Sequence, residues 1–206
     1  KVAASDTELA LLALEKEVTH FLLHGISFTR EAFGLPADGR LTEKWHIGND
    51  KTGLGQQYAY LKQLHGEALG YTLKVQNNCT DDSFTVKLNQ LASANRNTMY
   101  AVKSVKDALQ DIDQLKNSSN DLKYAFYGNA REKAADFCFR AVSLIIQNKK
   151  GSGFPGLHDI HKRIIDGYAG TLQLLYGEQT HESVSEFEIS TLINLNREMH
   201  TAYKSF

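Results

Sequence analysis

A chain of 206 residues lies near the usual size of one domain and is long enough to bury a core without disulfide or metal staples. Its 23 lysines and arginines are balanced by 24 aspartates and glutamates, with no basic run beyond Lys149-Lys150 and Lys162-Arg163, so it lacks the field that recruits nucleic acid or an anionic membrane. Apolar stretches such as Leu9 to Leu14 and Leu144 to Ile146 are far too short to span a bilayer, which excludes membrane insertion. The first residue is Lys1, as in a processed mature chain or a trimmed one.

In chain order, Ser5 with Glu8 forms a capping-box pattern, and Leu11, Leu14, Val18, Phe21 and Phe28 follow at helical spacing, predicting a helix from about Asp6 to Phe33. From Gly34 to Gly55 the period is lost, and five glycines, Pro36 and the only tryptophan, Trp45, mark a long loop. Tyr58, Leu61, His65, Ala68, Thr72 and Val75 predict a second helix over Leu54 to Val75, weakened by Gly66 and Gly70. The longest periodic stretch carries Phe84, Leu88, Leu91, Asn95, Thr98, Val102, Val105, Leu109 and Ile112, and predicts a helix from Asp82 to Lys116, roughly 50 Å long at ~1.5 Å per residue. Asn95 and Thr98 interrupt its apolar seam, as a buried asparagine does when it sets helix register. After Asn117 to Asn120, the stripe Phe126, Ala130, Ala134, Phe137, Ala141, Leu144, Ile145 predicts a helix from Asp121 to Asn148. Lys149 to Gly156 carries glycine and proline and reads as a mobile connection. Ile160, Ile164, Tyr168, Thr171 and Leu175 predict a fifth helix from Leu157 to Tyr176, capped by Gly177. Ser183 with Glu186 opens a last helix through Ile189, Leu192, Asn196, Met199, Tyr203 and Phe206. With no β-alternating segment and only two prolines, Pro36 and Pro155, both at interruptions of the period, the expectation is all-α: one domain over 1–206, an elongated antiparallel bundle of five or six helices.

Catalytic and metal motifs are sparse. There is no Gly-x-Ser-x-Gly, P-loop or Gly-x-Gly-x-x-Gly, and Gly151-Ser152-Gly153 suits a linker better than a nucleophile turn. The Glu-x-x-His spacing that resembles the metal ligands of ferritin-like bundles occurs at Glu17/His20, Glu43/His46 and Glu178/His181, but only the first pair lies within a predicted helix. His20 with His24, and His161 with Asp166, resemble ligand pairs of haemerythrin-like proteins, without the His-x-x-x-Glu element. His158 and His161 share a helix face, yet two side chains are too few for structural zinc. The expectation is no catalytic residues, no metal and no cofactor.

Cys79 and Cys138 permit one disulfide. If the third and fourth helices are straight and turn near Ser118, the two cysteines are offset by 19 residues. That offset is about 28 Å along the axis, far beyond the ~7 Å between bridged Cα atoms. A bridge therefore requires the third helix to break, most simply at Ser93 to Asn97. Asn78-Cys79-Thr80 and Asn117-Ser118-Ser119 match the N-glycosylation pattern in expected surface turns, which points to a secreted or extracellular protein with Asn78 and Asn117 as acceptors.

These features suggest a secreted, non-enzymatic helical-bundle protein that binds a macromolecular partner, with Phe33, Leu35, Trp45 and Ile47 of the glycine-rich loop as contacts. The alternative is a carrier or sensor for a small apolar ligand held between helices, lined by Tyr58, Tyr100, Phe126, Phe137 and Tyr168, for which an internal cavity above about 300 Å³ is the discriminating observation. The third is a metal-dependent oxidoreductase built on Glu17, His20, His24, His161 and Asp166, which requires the first and fifth helices to face each other.

Overall fold

The computed structural model describes residues 4–41, 53–77, 82–148, 156–177 and 184–206. Among these the regular secondary structure is all α-helix: α1 (Ala4–Ala32), α2 (Leu54–Gln76), α3 (Asp82–Lys116), α4 (Asp121–Asn148), α5 (Leu157–Leu175) and α6 (Glu186–Ser205). This is the expected elongated antiparallel bundle, with six helices among the described residues. Consecutive helices reverse direction, so α1, α3 and α5 run one way and α2, α4 and α6 the other.

The 35 residues of α3 make it the spine. Its first half packs with α1 and α2 around Leu14, Val18, Ala68, Phe84 and Leu88. Its second half meets α1, α4 and α6 around Phe21, Phe28, Val105, Ala108, Ile112, Leu192 and Leu195. A third apolar cluster joins α1, α4 and α5 through Ile26, Phe137, Val142 and Ile160. α5 packs on α6 and on α4, so it lies on the outside of the bundle.

The polar interruption of α3 behaves as a register device. Asn95 is 1% exposed and its Nδ2 donates to the His65 carbonyl of α2 at 3.2 Å, while Thr98 turns its hydroxyl back to Ala94 O. Gly25 serves the opposite end of the same problem: a Cβ there would come within 2.8 Å of the Phe206 ring and 3.1 Å of Val102, so its bare backbone is what lets α1, α3 and the end of α6 meet.

Helix ends differ in detail from expectation. α1 starts at Ala4, ahead of the expected start at Asp6. α1 ends in a Schellman motif: Gly34 at φ +59° donates to Glu31 O and Leu35 donates to Arg30 O. The segment after it is fastened to α4. Tyr127 Oη and Arg131 Nε donate to Phe33 O, and Arg40 joins Asp38 through two nitrogens, donates to Ser143 Oγ at 2.7 Å and lies over the Phe139 ring. Arg40 holds the Asp38 carboxyl down at about 2. Gly177 donates to Leu174 O just past α5, but without a left-handed φ. The capping box of α6 is Ser185 with Glu188, two residues later than expected. The later box puts Val184 and Ile189, 7% and 5% exposed, at the two positions of a hydrophobic staple; the earlier one would have put Phe187, 82% exposed, there.

The break of the third helix that a Cys79–Cys138 bridge would require is absent. α3 is unbroken through Ser93 to Asn97, and Cys138 is a free thiol at 0% exposure, its pKa pushed up to about 12 by burial. Cys79 and Asn78 lie outside the described residues, as do Trp45, Ile47 and the connection Lys149 to Pro155.

Candidate functional site

Helical periodicity places one stripe from each of three helices around a common space. On α4, Phe126, Ala130, Lys133, Phe137 and Arg140 recur at three and four. On α5 the stripe is Ile160, Ile164, Gly167 and Thr171, with Tyr168 beside it. On α6 it is Asn196, Met199 and Tyr203, with Leu195 and His200 adjoining. Together they line a cleft of about 600 Å³. Leu195, Met199, Phe137 and Ile160 are buried, so its walls belong to the bundle core, whereas Phe126, Ile164 and Tyr168 are only partly covered.

Polar groups are few and specific. Lys133, part-buried, reaches from α4 across to α5, where Nζ donates to Gly167 O at 2.9 Å and to Thr171 Oγ1. Burial lowers its pKa. A Cβ at Gly167 would stand 3.7 to 3.9 Å from Lys133 Cε, Cδ and Nζ, so the lysine stem lies on bare helix backbone. Asn196 Nδ2 donates to Tyr168 O at 3.2 Å and ties α6 to α5. His200 stacks on Tyr168 with ring centroids 4.3 Å apart, and its buried Nδ1 has no partner among the described residues. Desolvation, then the Lys204 charge, lowers the His200 pKa, against a main-chain hydrogen bond at Ile164. Tyr203 stacks on Phe137 at 4.5 Å, and its hydroxyl is likewise buried without a partner. Burial raises that phenol well above its usual 10.

At the outer edge, Asp136, Arg140, Asp159 and Arg163 form an alternating ladder at 2.9, 3.3 and 2.9 Å that fastens α4 to α5. Each member is a third or more exposed, so solvent screens each pair and it adds little, but the ladder links α4 to α5 along one margin of the cleft. A second groove of about 610 Å³ runs along α3 beside Asn89, Gln90, Ser93, Asn97 and Phe206, and its lining has no charged side chain.

Of the five aromatic residues expected to line a ligand cavity, Phe126, Phe137 and Tyr168 do converge on the cleft. Tyr58 packs instead beside Phe28 at 6.4 Å, and Tyr100 is 55% exposed on α3. Phe33 is fully buried, its ring stacked 6.5 Å from Tyr127, and is out of reach of a partner; Leu35 is half-buried against the same core. Asn117 is exposed in the α3–α4 turn, where its Nδ2 donates to Asp113 O and Oδ1.

The metal constellation is not assembled. α1 packs on α2, α3 and α4 while α5 packs on α4 and α6, so Glu17, His20 and His24 are not brought to His161 and Asp166. His20 and His24 instead meet edge-on at 4.4 Å, and His24 is buried against Tyr60. Among the described residues no group of three or more His, Cys, Asp or Glu side chains could hold a metal ion, and no helix is long and apolar enough to cross a membrane.

Lys133, Gly167, His200 and Tyr203 were not singled out from sequence as site residues. The signals were present: Lys133 occupies a stripe position between Ala130 and Phe137, and Asn196 interrupts the stripe of α6. Comparison of the chain with known protein families, with curated proteins and with solved structures returns no match.

Proposed function

We propose that this chain is a non-enzymatic binding protein that holds a small, largely apolar molecule in the cleft between α4, α5 and α6. The observation that carries this is the cleft's volume of about 600 Å³, within the usual range of ligand sites. Its walls combine exposed edges of core aromatics with a few fixed polar groups, the composition such sites favour.

Titration with N-phenyl-1-naphthylamine, a neutral apolar fluorophore, tests it. Fluorescence should rise saturably with the wild-type chain. Ile164→Trp, which fills the cleft from its α5 wall, should abolish the rise, while Tyr100→Ser, far from the cleft, should leave it unchanged. Absence of binding, or binding that survives Ile164→Trp, would overturn the proposal.

A macromolecular partner is favoured by a different observation. Tyr124, Leu174, Tyr176 and Phe187 are 58 to 82% exposed and sit at the ends of α4, α5 and α6 that lie together, where Lys123 Nζ pairs with Glu188 at 2.7 Å. Immobilised wild-type chain should then retain a protein from extracellular fluid that a Tyr176→Ser/Phe187→Ser variant does not. Secretion rests on the exposed Asn117 sequon, and a glycan there should appear as a mass loss on deglycosylation of the native protein.

A further inference from the structure

We infer that the cleft selects a small amphipathic acid, an apolar or aromatic body carrying one anionic group, and that Lys133 is the receptor for that anion. This rests on the cleft being a ligand site and adds the chemical class of what it takes.

An ammonium has three N–H donors and no acceptor. Lys133 gives two of them to neutral oxygens, Gly167 O and Thr171 Oγ1. Both acceptors already hold another bond, since the Thr171 hydroxyl itself donates to Gly167 O at 2.9 Å, so neither depends on the lysine. Among the described residues no carboxylate forms an ion pair with Lys133. Of the four acids that line the cleft, Asp136 pairs with Arg140 and Asp159 with Arg140 and Arg163, while Glu132 and Asp166 form no ion pair with Lys133. A part-buried cation without a counter-ion is a costly arrangement, because desolvation is not repaid by a nearby opposite charge. In its present position Lys133 gains two hydrogen bonds to neutral oxygens, and an anion would add the counter-charge that they do not supply.

The surroundings fit the rest of the ligand. Gly167 leaves the lysine stem lying flat on α5, which directs the ammonium along the wall. Phe137, Ile164 and Met199 supply apolar surface within the same cleft. The ladder at the outer edge is self-neutralised, and of the two lysines of the lining outside it Lys162 is exposed, which leaves Lys133 as the part-buried cation for a single acid group.

The experiment uses two probes that differ by one group: 8-anilinonaphthalene-1-sulfonate and the neutral N-phenyl-1-naphthylamine, titrated into the full chain by fluorescence. Lys133→Met should weaken the sulfonate by about ten- to a hundredfold, the usual loss of a charge-assisted hydrogen bond. It should leave the neutral probe unchanged. Lys133→Arg, which keeps the charge, should restore sulfonate binding, and far-UV circular dichroism of each variant establishes that it is folded. If Lys133→Met weakens both probes equally or neither, the inference is overturned and the cleft remains a ligand site. If neither probe binds the wild-type chain, or Ile164→Trp affects neither, the ligand site itself is overturned and this inference with it.

Discussion

Replacing Tyr203 with phenylalanine removes one oxygen atom from α6 and should make the protein more stable. The hydroxyl is buried and has no hydrogen-bond partner among the described residues. Leaving a donor and acceptor unpaired away from water costs about 1–3 kcal/mol relative to the solvated group in the unfolded chain. The ring survives the change, so its stacking on Phe137 at 4.5 Å is retained. What is lost is the volume of one oxygen, on the order of 15 Å³, which at ~24 cal/mol per Å³ costs about 0.4 kcal/mol. The net expectation is a gain of about 1 kcal/mol, or roughly 2–4 °C in Tm for a chain of this length. Urea unfolding followed by far-UV circular dichroism reads it directly: the midpoint should rise with the slope m unchanged, since the surface exposed on unfolding is the same. A fall in midpoint would refute the reasoning and show that the hydroxyl is satisfied in solution, by an ordered water inside the cleft wall.

Lys133→Met should not destabilise the fold, because its two acceptors keep their mutual hydrogen bond and a desolvated charge disappears; a gain of about 0.5 kcal/mol is expected, and a loss above ~1 kcal/mol in thermal unfolding would make the lysine structural. Asp38 has its pKa lowered from 3.8 to about 2, chiefly by the hydrogen bond from Arg40. A depressed carboxyl contributes stability that is fully present above about pH 4 and lost as pH falls through about 2, so Asp38→Asn should lower the unfolding free energy at pH 7 by no more than ~1 kcal/mol in urea unfolding, and the gap to wild type should narrow towards pH 2. Gly25→Leu drives a side chain into the Phe206 ring and Val102 and should cost about 2 kcal/mol in chemical denaturation, with the ring of Phe206 displaced.

Most of the architecture was legible along the chain. The bounds of α2, α3 and α4 follow the apolar period to within a residue, because each helix buries one continuous stripe and ends where glycine, asparagine or serine breaks it. The role of Asn95 was legible for the same reason: a polar residue at a seam position of a long helix must find a partner on its neighbour, here the His65 carbonyl. The start of α6 was ambiguous, since Ser-x-x-Glu occurs at both 183 and 185. The choice fell to the box whose flanking residues, Val184 and Ile189, are buried.

The cleft was not legible in the same way. A stripe read on one helix says which face is turned inwards, and that holds for Phe126 and Phe137 on α4 as for Tyr168 on α5. It does not say which other helices that face meets. Only the packing of α5 against α6, with α4 closing the third side, puts Lys133 on the backbone of Gly167 and brings His200 against Tyr168. The same packing seats α5 mainly on α6 and α4 and leaves the histidines and carboxylates that their spacing alone had grouped without a common site among the described residues. Local periodicity and capping, which depend on residues a few positions apart, thus determined the six helices. The site depends on residues up to about seventy positions apart in the chain, between Lys133 and Tyr203, and such contacts exist only once the helices have chosen their neighbours.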